Sequence, residues 1–297
     1  MKKILVVGSI NMDSTIYVDY FPKDGETIFG NSRYIQPGGK GANQACAIAK
    51  SGLVECLFVG AIGQDSDGRT ILSILKEHNV DTSNIKVTNT ETGNATIVVD
   101  KKSENKIIII HGANFELKIS DISDNLLKSV DYVVLQNEIL EEVNEYVIKK
   151  AHEFHKVVIY NPAPYRQFDK KLLRYIDYFI PNKIELSQYT GSDDVQEGAD
   201  KLLEAGVKNL IITLGTEGSM FINKNESFKV NAFKVEAIDT VAAGDTFVGY
   251  FASSLASGSD IRTAMTAASK ASSITVTRKG STVSIPNGAE VFDKLME

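Results

Sequence analysis

Ile4-Leu5-Val6-Val7-Gly8-Ser9-Ile10-Asn11-Met12-Asp13 opens the chain with four apolar residues in a row, and polar groups follow almost at once. The run is far shorter than the ~20 residues needed to cross a bilayer. Broken by Asn11 and Asp13, it reads as a buried first strand and not as a signal segment. Similar runs recur at 56–59, 132–135, 157–160, 178–180 and 210–214. Between them lie segments of helical periodicity, at 42–50, 70–78, 143–154 and 200–205. Continuous apolar strands alternating with amphipathic helices predict an α/β fold whose mainly parallel sheet is covered on both faces.

Two regions break that rhythm. Residues 14–20 alternate, with Ile16, Val18 and Tyr20 on one face and Thr15, Tyr17 and Asp19 on the other. Residues 95–100 and 106–110 flank the polar stretch 101–105 as the arms of a hairpin would. Ile107-Ile108-Ile109-Ile110 puts isoleucine on both faces of its strand. A small sheet with one open face needs a cover. These segments therefore read as a lid that closes over a ligand and pairs with a second subunit; the alternative is one more core strand.

Composition bounds the function. The 297 residues are 43% hydrophobic and 24% charged, enough apolar material for a large core. A formal charge of −6 argues against a broad nucleic-acid footprint. Cys46 and Cys56 lack a CxxC spacing and metal-like companions, which suits reduced thiols in the cytoplasm. His152 and His155 stand three apart without an HExxH pattern, so they read as solvated. No GxGxxG follows the first strand, which disfavours a dinucleotide dehydrogenase, and Gly38-Gly39-Lys40-Gly41 lacks the Walker A spacing.

The chemistry concentrates in three places. In Asp239-Thr240-Val241-Ala242-Ala243-Gly244-Asp245-Thr246-Phe247, small residues lead into an apolar helix. A helix start offers free N–H groups and a positive dipole end, hence an anion site. Gly244 lets a phosphate approach the backbone. Asp245 beside that anion is either a base for an attacking hydroxyl or a helix cap. Its carboxyl is expected at or below the ordinary ~4 because of the helix dipole. Gly38-Gly39-Lys40-Gly41-Ala42-Asn43 is either a ligand loop with Lys40 and Asn43 as donors or a plain glycine turn. Asn11 and Asp13 follow a buried strand, where open α/β sheets bind ligands, or they serve a local turn.

Together with Asn161-Pro162-Ala163-Pro164, Pro181-Asn182-Lys183-Ile184-Glu185, Thr213-Leu214-Gly215-Thr216-Glu217-Gly218 and Thr277-Arg278-Lys279-Gly280, these motifs resemble the ribokinase-like (PfkB) sugar-kinase family from end to end. The resemblance implies one kinase domain over 1–297, a three-layer α/β/α sandwich with lid segments at about 14–37 and 94–112. It implies transfer of the γ-phosphoryl group of ATP to the primary hydroxyl of a pentose, ribose first. The alternatives are another sugar or nucleoside, or a non-catalytic sugar-binding regulator. Asn11, Asp13, Gly39, Lys40, Asn43 and Glu138 would contact the sugar, with Asp245 as base. Amides of Ala242, Ala243 and Gly244 would stabilise the transferring group. Asn182, Glu185, Thr213, Gly215, Thr216, Gly218, Gly244 and Ser269 would line ATP, Glu185 helping to place Mg²⁺. Asp239, Val241, Thr275, Arg278, Gly280 and Ser284 would hold K⁺. Val248, Asn137, Ser269 and Lys270 depart from the common family pattern.

Overall fold

The first apolar run forms a strand whose side chains alternate between two buried faces. Ile4 and Val6 join Ile10 and Phe58 on one side, while Leu5 and Val7 join Val59 and Val133 on the other, all with no exposed surface. Helices must therefore cover both sides, which is why the run carries no polar alternation. Each such buried side chain contributes about 1.5–3 kcal/mol of transfer free energy.

The computed structural model describes residues 1–102 and 104–293. Its chain runs β1 (Lys3–Val7), β2 (Asn11–Tyr17), β3 (Ser32–Gly38), α1 (Lys40–Ser51), β4 (Glu55–Gly63), α2 (Ser66–Glu77), β5 (Val80–Thr88), β6 (Gly93–Val99), β7 (Asn105–Ile110), α3 (Asp124–Lys128), β8 (Tyr132–Leu135), α4 (Glu141–Glu153), β9 (Val157–Tyr160), β10 (Tyr178–Phe179), α5 (Lys183–Thr190), α6 (Val195–Glu204), β11 (Asn209–Thr213), β12 (Ser219–Asn223), β13 (Ser227–Val230), α7 (Ala243–Ala256), α8 (Ile261–Thr275) and α9 (Gly288–Phe292). The large sheet has the order β13-β12-β11-β10-β9-β8-β1-β4-β5. It is parallel except at β11–β12 and β12–β13. Side chains of α1, α2, α7, α8 and α9 pack on one face, and those of α3, α4, α5 and α6 on the other.

The packing of α7 on α1 places the site. A Cβ on Gly249 would lie 2.4 Å from Cβ of Ala47, so only glycine lets these helices approach this closely. At the other end of α1, a Cβ on Gly41 would lie 2.5 Å from the Ser9 nitrogen. Helix α1 is thus seated on the β1–β2 connection and held against α7 at once.

A second sheet has the order β3-β2-β6-β7. Ile107, Ile108, Ile109 and Ile110 are exposed on β7 and belong to this small sheet, so the core-strand alternative does not hold. Two expectations are corrected. β2 starts at Asn11, not Ser14, because Asn11–Tyr17 pairs with both β3 and β6. It ends at Tyr17, so Tyr20 does not share a strand face with Ile16; its exposed ring donates its hydroxyl to Glu26. The helix expected at 200–205 begins five residues earlier, where the Asp194 side chain accepts the Glu197 amide as a cap. Ser103 of the expected hairpin turn lies outside the described residues. No helix among the described residues is long and apolar enough to cross a membrane.

Candidate active site

Most of the residues predicted to bind the sugar and ATP follow the carboxyl ends of the parallel strands, where open α/β sheets bind ligands. β1 leads to Asn11 and Asp13, β8 to Glu138, β10 to Asn182 and Glu185, and β11 to Gly215, Thr216 and Gly218. Lys40 and Asn43 lie in the first turn of α1, which follows Gly39 as its N-cap residue.

Asp245 sits at the centre. Its Oδ2 accepts from Asn43 Nδ2 at 2.9 Å and its Oδ1 from Gln44 Nε2 at 3.0 Å. The cap position of α7 is Ala242, with φ 59° and no side-chain cap bond. Asp245 therefore does not cap the helix. Ala243 and Gly244 form its first turn, and a Cβ on Gly244 would meet nothing within 4 Å. Open space thus borders the amide end of α7.

Nearby, two buried oxygens have no hydrogen-bond partner among the described residues: Asp13 Oδ1 and Asn43 Oδ1. Unpaired buried acceptors cost free energy and call for donors. A polyol supplies O–H donors; a phosphate or carboxylate does not. Asn11 is oriented by Asn114, whose Nδ2 donates to its Oδ1 at 2.8 Å, leaving the Asn11 amide hydrogens for a ligand. Glu138 Oε2 accepts the Lys40 amide at 3.0 Å and the Ser9 hydroxyl at 2.5 Å, tying the β8 loop to the start of α1.

Residues 1–288 match the pattern of the pfkB family of carbohydrate kinases. The chain belongs to that family. Among its relatives, the ribokinase of Lactococcus lactis is 37% identical over 299 residues, covering 100% of this chain and 98% of the relative. The crystal structure of Thermotoga maritima ribokinase superimposes with a TM-score of 0.93 at 40% identity, over 100% of both chains. The structure of Arabidopsis thaliana ribokinase complexed with ribose and ATP gives 0.92 at 30% identity, over 100% of this chain and 99% of that one. The three-layer sandwich with a small separate sheet is thus the fold of these kinases.

In this carbohydrate kinase the charges of the cleft are coupled. Burial first, then Glu138 and Asp245, with Lys40 opposing them, together push the Asp13 carboxyl up to about 7. Burial also raises Asp245, against Lys40, Asn43 and Gln44, which favour its ionised form. The direction is opposite to the lowering expected from the helix start: loss of water outweighs Lys40 and the two amide donors. Burial works against the Lys40 ammonium too, yet Asp245, Glu138, Glu185 and Asp13 hold its pKa above the ordinary value.

Asn182 and Glu185 form the capping box of α5. Asn182 Oδ1 accepts the Glu185 amide and Glu185 Oε2 accepts the Asn182 amide, both at 2.8 Å. Glu185 keeps its other oxygen for a ligand. Asn182 is bridged to Thr213 at the end of β11. Ser269 is buried on α8, one turn before Ser272, whose hydroxyl donates to the Ala243 carbonyl at 2.8 Å.

Three of the residues expected to hold K⁺, Asp239, Val241 and Gly280, meet ahead of α7. Asp239 Oδ1 accepts the Val241 amide and Oδ2 the Gly280 amide, both at 3.0 Å. Thr275 Oγ1 donates to Thr246 Oγ1 at 3.1 Å, linking α8 to the residue after Asp245. Ser284 donates its hydroxyl to the Ser281 carbonyl, and the Arg278 side chain pairs with Glu290. Arg278 could therefore serve a cation only through its main chain.

Sequence reasoning assigned no role to Gln44, Gln136, Asn161, Asn114 or Ser9. Ser9 and Asn161 stand inside the Gly8–Asp13 and Asn161–Pro164 motifs, and Gln44 directly follows Asn43, which was a usable signal. Asn114 carries none, for it reaches Asn11 from 103 residues away.

Proposed function

We propose that this kinase transfers the γ-phosphoryl group of ATP to the primary hydroxyl of D-ribose, giving ribose 5-phosphate. The observation that carries the sugar half is the pair of buried acceptors on Asp13 and Asn43 with no partner among the described residues, beside the Asp245 carboxylate. The ribokinase names of the relatives, and the ribose and ATP of the Arabidopsis complex, support the choice of ribose.

The sugar binds between the small sheet and the strand ends, with Asn11, Asp13, Gly39, Lys40, Asn43 and Glu138 as its contacts. ATP lies along Asn182, Thr213, Gly215, Thr216, Gly218 and Ser269, its γ-phosphoryl group facing the amides of Ala242, Ala243 and Gly244. These amides offset charge on the transferring group, and Asp245 accepts the proton of the attacking hydroxyl. Mg²⁺, when bound to the phosphates, neutralises their charge; the free Glu185 oxygen is a hard donor suited to holding it through water. The small sheet acts as a lid that excludes water as a competing acceptor. Its exposed isoleucines on β7 support a homodimer in which two lids cover each other. Buried, unpaired Cys46 and Cys56 support a cytoplasmic enzyme.

ADP release should be measured with ribose, 2-deoxyribose, fructose, adenosine and pseudouridine. Ribose is expected to give the highest kcat/KM. A higher value for any other acceptor would reassign the substrate, and no turnover with any of them would favour the sugar-binding regulator.

K⁺ activation has its own physical basis. The Asp239 cluster offers a carboxylate and carbonyl oxygens, the donors a hard monovalent cation takes, and each Asp239 oxygen spends only one bond on an amide. A cation there would fix the loop that ends at the α7 amides without touching either substrate. Replacing Na⁺ by K⁺ at constant ionic strength should raise kcat. An equal rate in both salts would remove the cation site and leave the kinase reading standing.

A further inference from the structure

Asp245 is gripped from behind by a carboxamide that cannot reach the cleft. Gln44 is fully buried and both ends of its amide are used. Nε2 donates to Asp245 Oδ1 at 3.0 Å and to Asn161 Oδ1 at 3.1 Å. Oε1 accepts from Gln136 Nε2 at 2.7 Å. Asn161 is fixed in turn, its Nδ2 donating to the Ile180 carbonyl at 2.8 Å. Asn43 differs: it too donates to Asp245, but its own oxygen has no partner among the described residues.

This chain of amides has only one workable polarity. An ionised carboxylate accepts and never donates, so Gln44 must turn its NH₂ toward Asp245. Its oxygen then faces Gln136, which must present its own NH₂. The mismatch is passed to the far end, where Gln136 Oε1 is buried with no partner among the described residues. A 180° flip of the Gln44 amide would set oxygen against both Asp245 Oδ1 and Asn161 Oδ1. Leaving a buried acceptor unpaired at Gln136 keeps the carboxylate fully bonded.

We infer that Gln44 is a positioning residue for phosphoryl transfer: backed by Gln136 and Asn161, it fixes the Asp245 carboxylate in one orientation toward the sugar hydroxyl. The inference rests on Asp245 as the base. The other charged groups coupled to this carboxylate are Lys40 on α1, Glu138 after β8, Glu185 on α5 and Asp13 on β2. Lys40 and the two amide donors favour the ionised form, and the acids oppose it.

The test compares Gln44→Met, close in length but without donor or acceptor, with Gln136→Met, which removes only the support behind Gln44. For Gln44→Met, kcat should fall about 10–100-fold, the worth of one hydrogen bond to a charged group. KM for ribose and ATP should stay within about threefold, because Gln44 touches neither. The acid limb of the kcat–pH profile should move to higher pH, since a donor that favours the carboxylate has gone. Gln136→Met should shift kcat and the limb in the same directions by less. A merely structural role would leave the limb where it is. Wild-type kcat and an unmoved limb in Gln44→Met would overturn the inference. If that variant does not fold, the same result in Gln136→Met would overturn it. Asp245→Asn measured alongside separates the two readings. A nearly normal Asp245→Asn would sink the base itself, whereas an inactive Asp245→Asn with a normal Gln44→Met would sink only the positioning role.

Discussion

Asp245→Asn is expected to lower kcat by about 10²–10⁴-fold, the usual contribution of a general base, while ribose and ATP still bind. The substitution keeps the shape of the side chain and removes its capacity to take a proton. Loss of a helix cap cannot account for an effect of that size, because Ala242 and not Asp245 occupies the cap position. The structure also sets the cost to folding. Asn43 and Gln44 each donate to one carboxylate oxygen, and a carboxamide can accept from only one of them. One buried donor is left unpaired, worth about 1–3 kcal/mol, which relief of the buried charge partly offsets. A drop of several degrees in Tm is therefore the most to expect. ATP affinity should hold or rise, since a negative charge beside the phosphates is removed. Steady-state kcat read beside calorimetric ATP titration on the folded variant decides the matter. Near-wild-type turnover would discard Asp245 as the base.

The parallel strands were legible in the sequence because a strand buried on both faces is apolar at every position, as 4–7 and 132–135 are. The small sheet was legible as four isoleucines with no core to belong to. β12 and β13 were not, since partial burial at the sheet edge leaves a mixed pattern, as in Ser227-Phe228-Lys229-Val230. Asn11 and Asp13 read as a connection because β2 begins directly after the β1 turn, with polar residues turned toward the cleft. Most of the candidate site residues were visible as motifs, whereas their electrostatics were not. The dipole of α7 can be inferred from Ala242-Ala243-Gly244, but burial of Asp245 depends on α1, 201 residues away at Gln44. Separation hid these partnerships too: Gln44 lies 201 residues from Asp245 and 92 from Gln136. An amide chain behind a carboxylate has no local pattern, only partners that meet once α1, β8 and α7 are packed.

Lys40→Met should be nearly as damaging as loss of Asp245, by a different route. Lys40 is the cation shared by Asp13, Glu138, Glu185 and Asp245, and each of these carboxylates raises its pKa. Without it, burial and mutual repulsion act unopposed on Asp13, while only the Asn43 and Gln44 amides oppose them at Asp245 and the Asn182 amide at Glu185, so all three shift further upward. Asp245 then holds a proton more readily and is less available to take one from the sugar hydroxyl. With the lost sugar contact added, kcat/KM should fall by about 10²-fold or more, and part of the loss in kcat should be recovered as pH rises. Stability moves the opposite way. A carboxyl whose folded-state pKa lies above its unfolded value is relatively stabilising below the unfolded pKa. That contribution is lost as pH climbs through the folded value. For Asp13 the window runs from its unfolded 3.8 to about 7 in the wild type, and Lys40→Met extends it upward. The variant should therefore lose more Tm at pH 8 than at pH 6, while its remaining activity is greater at pH 8. Equal Tm losses at both pH values, or an acid limb where the wild type has it, would mean that Lys40 contacts the substrate without balancing the four acids.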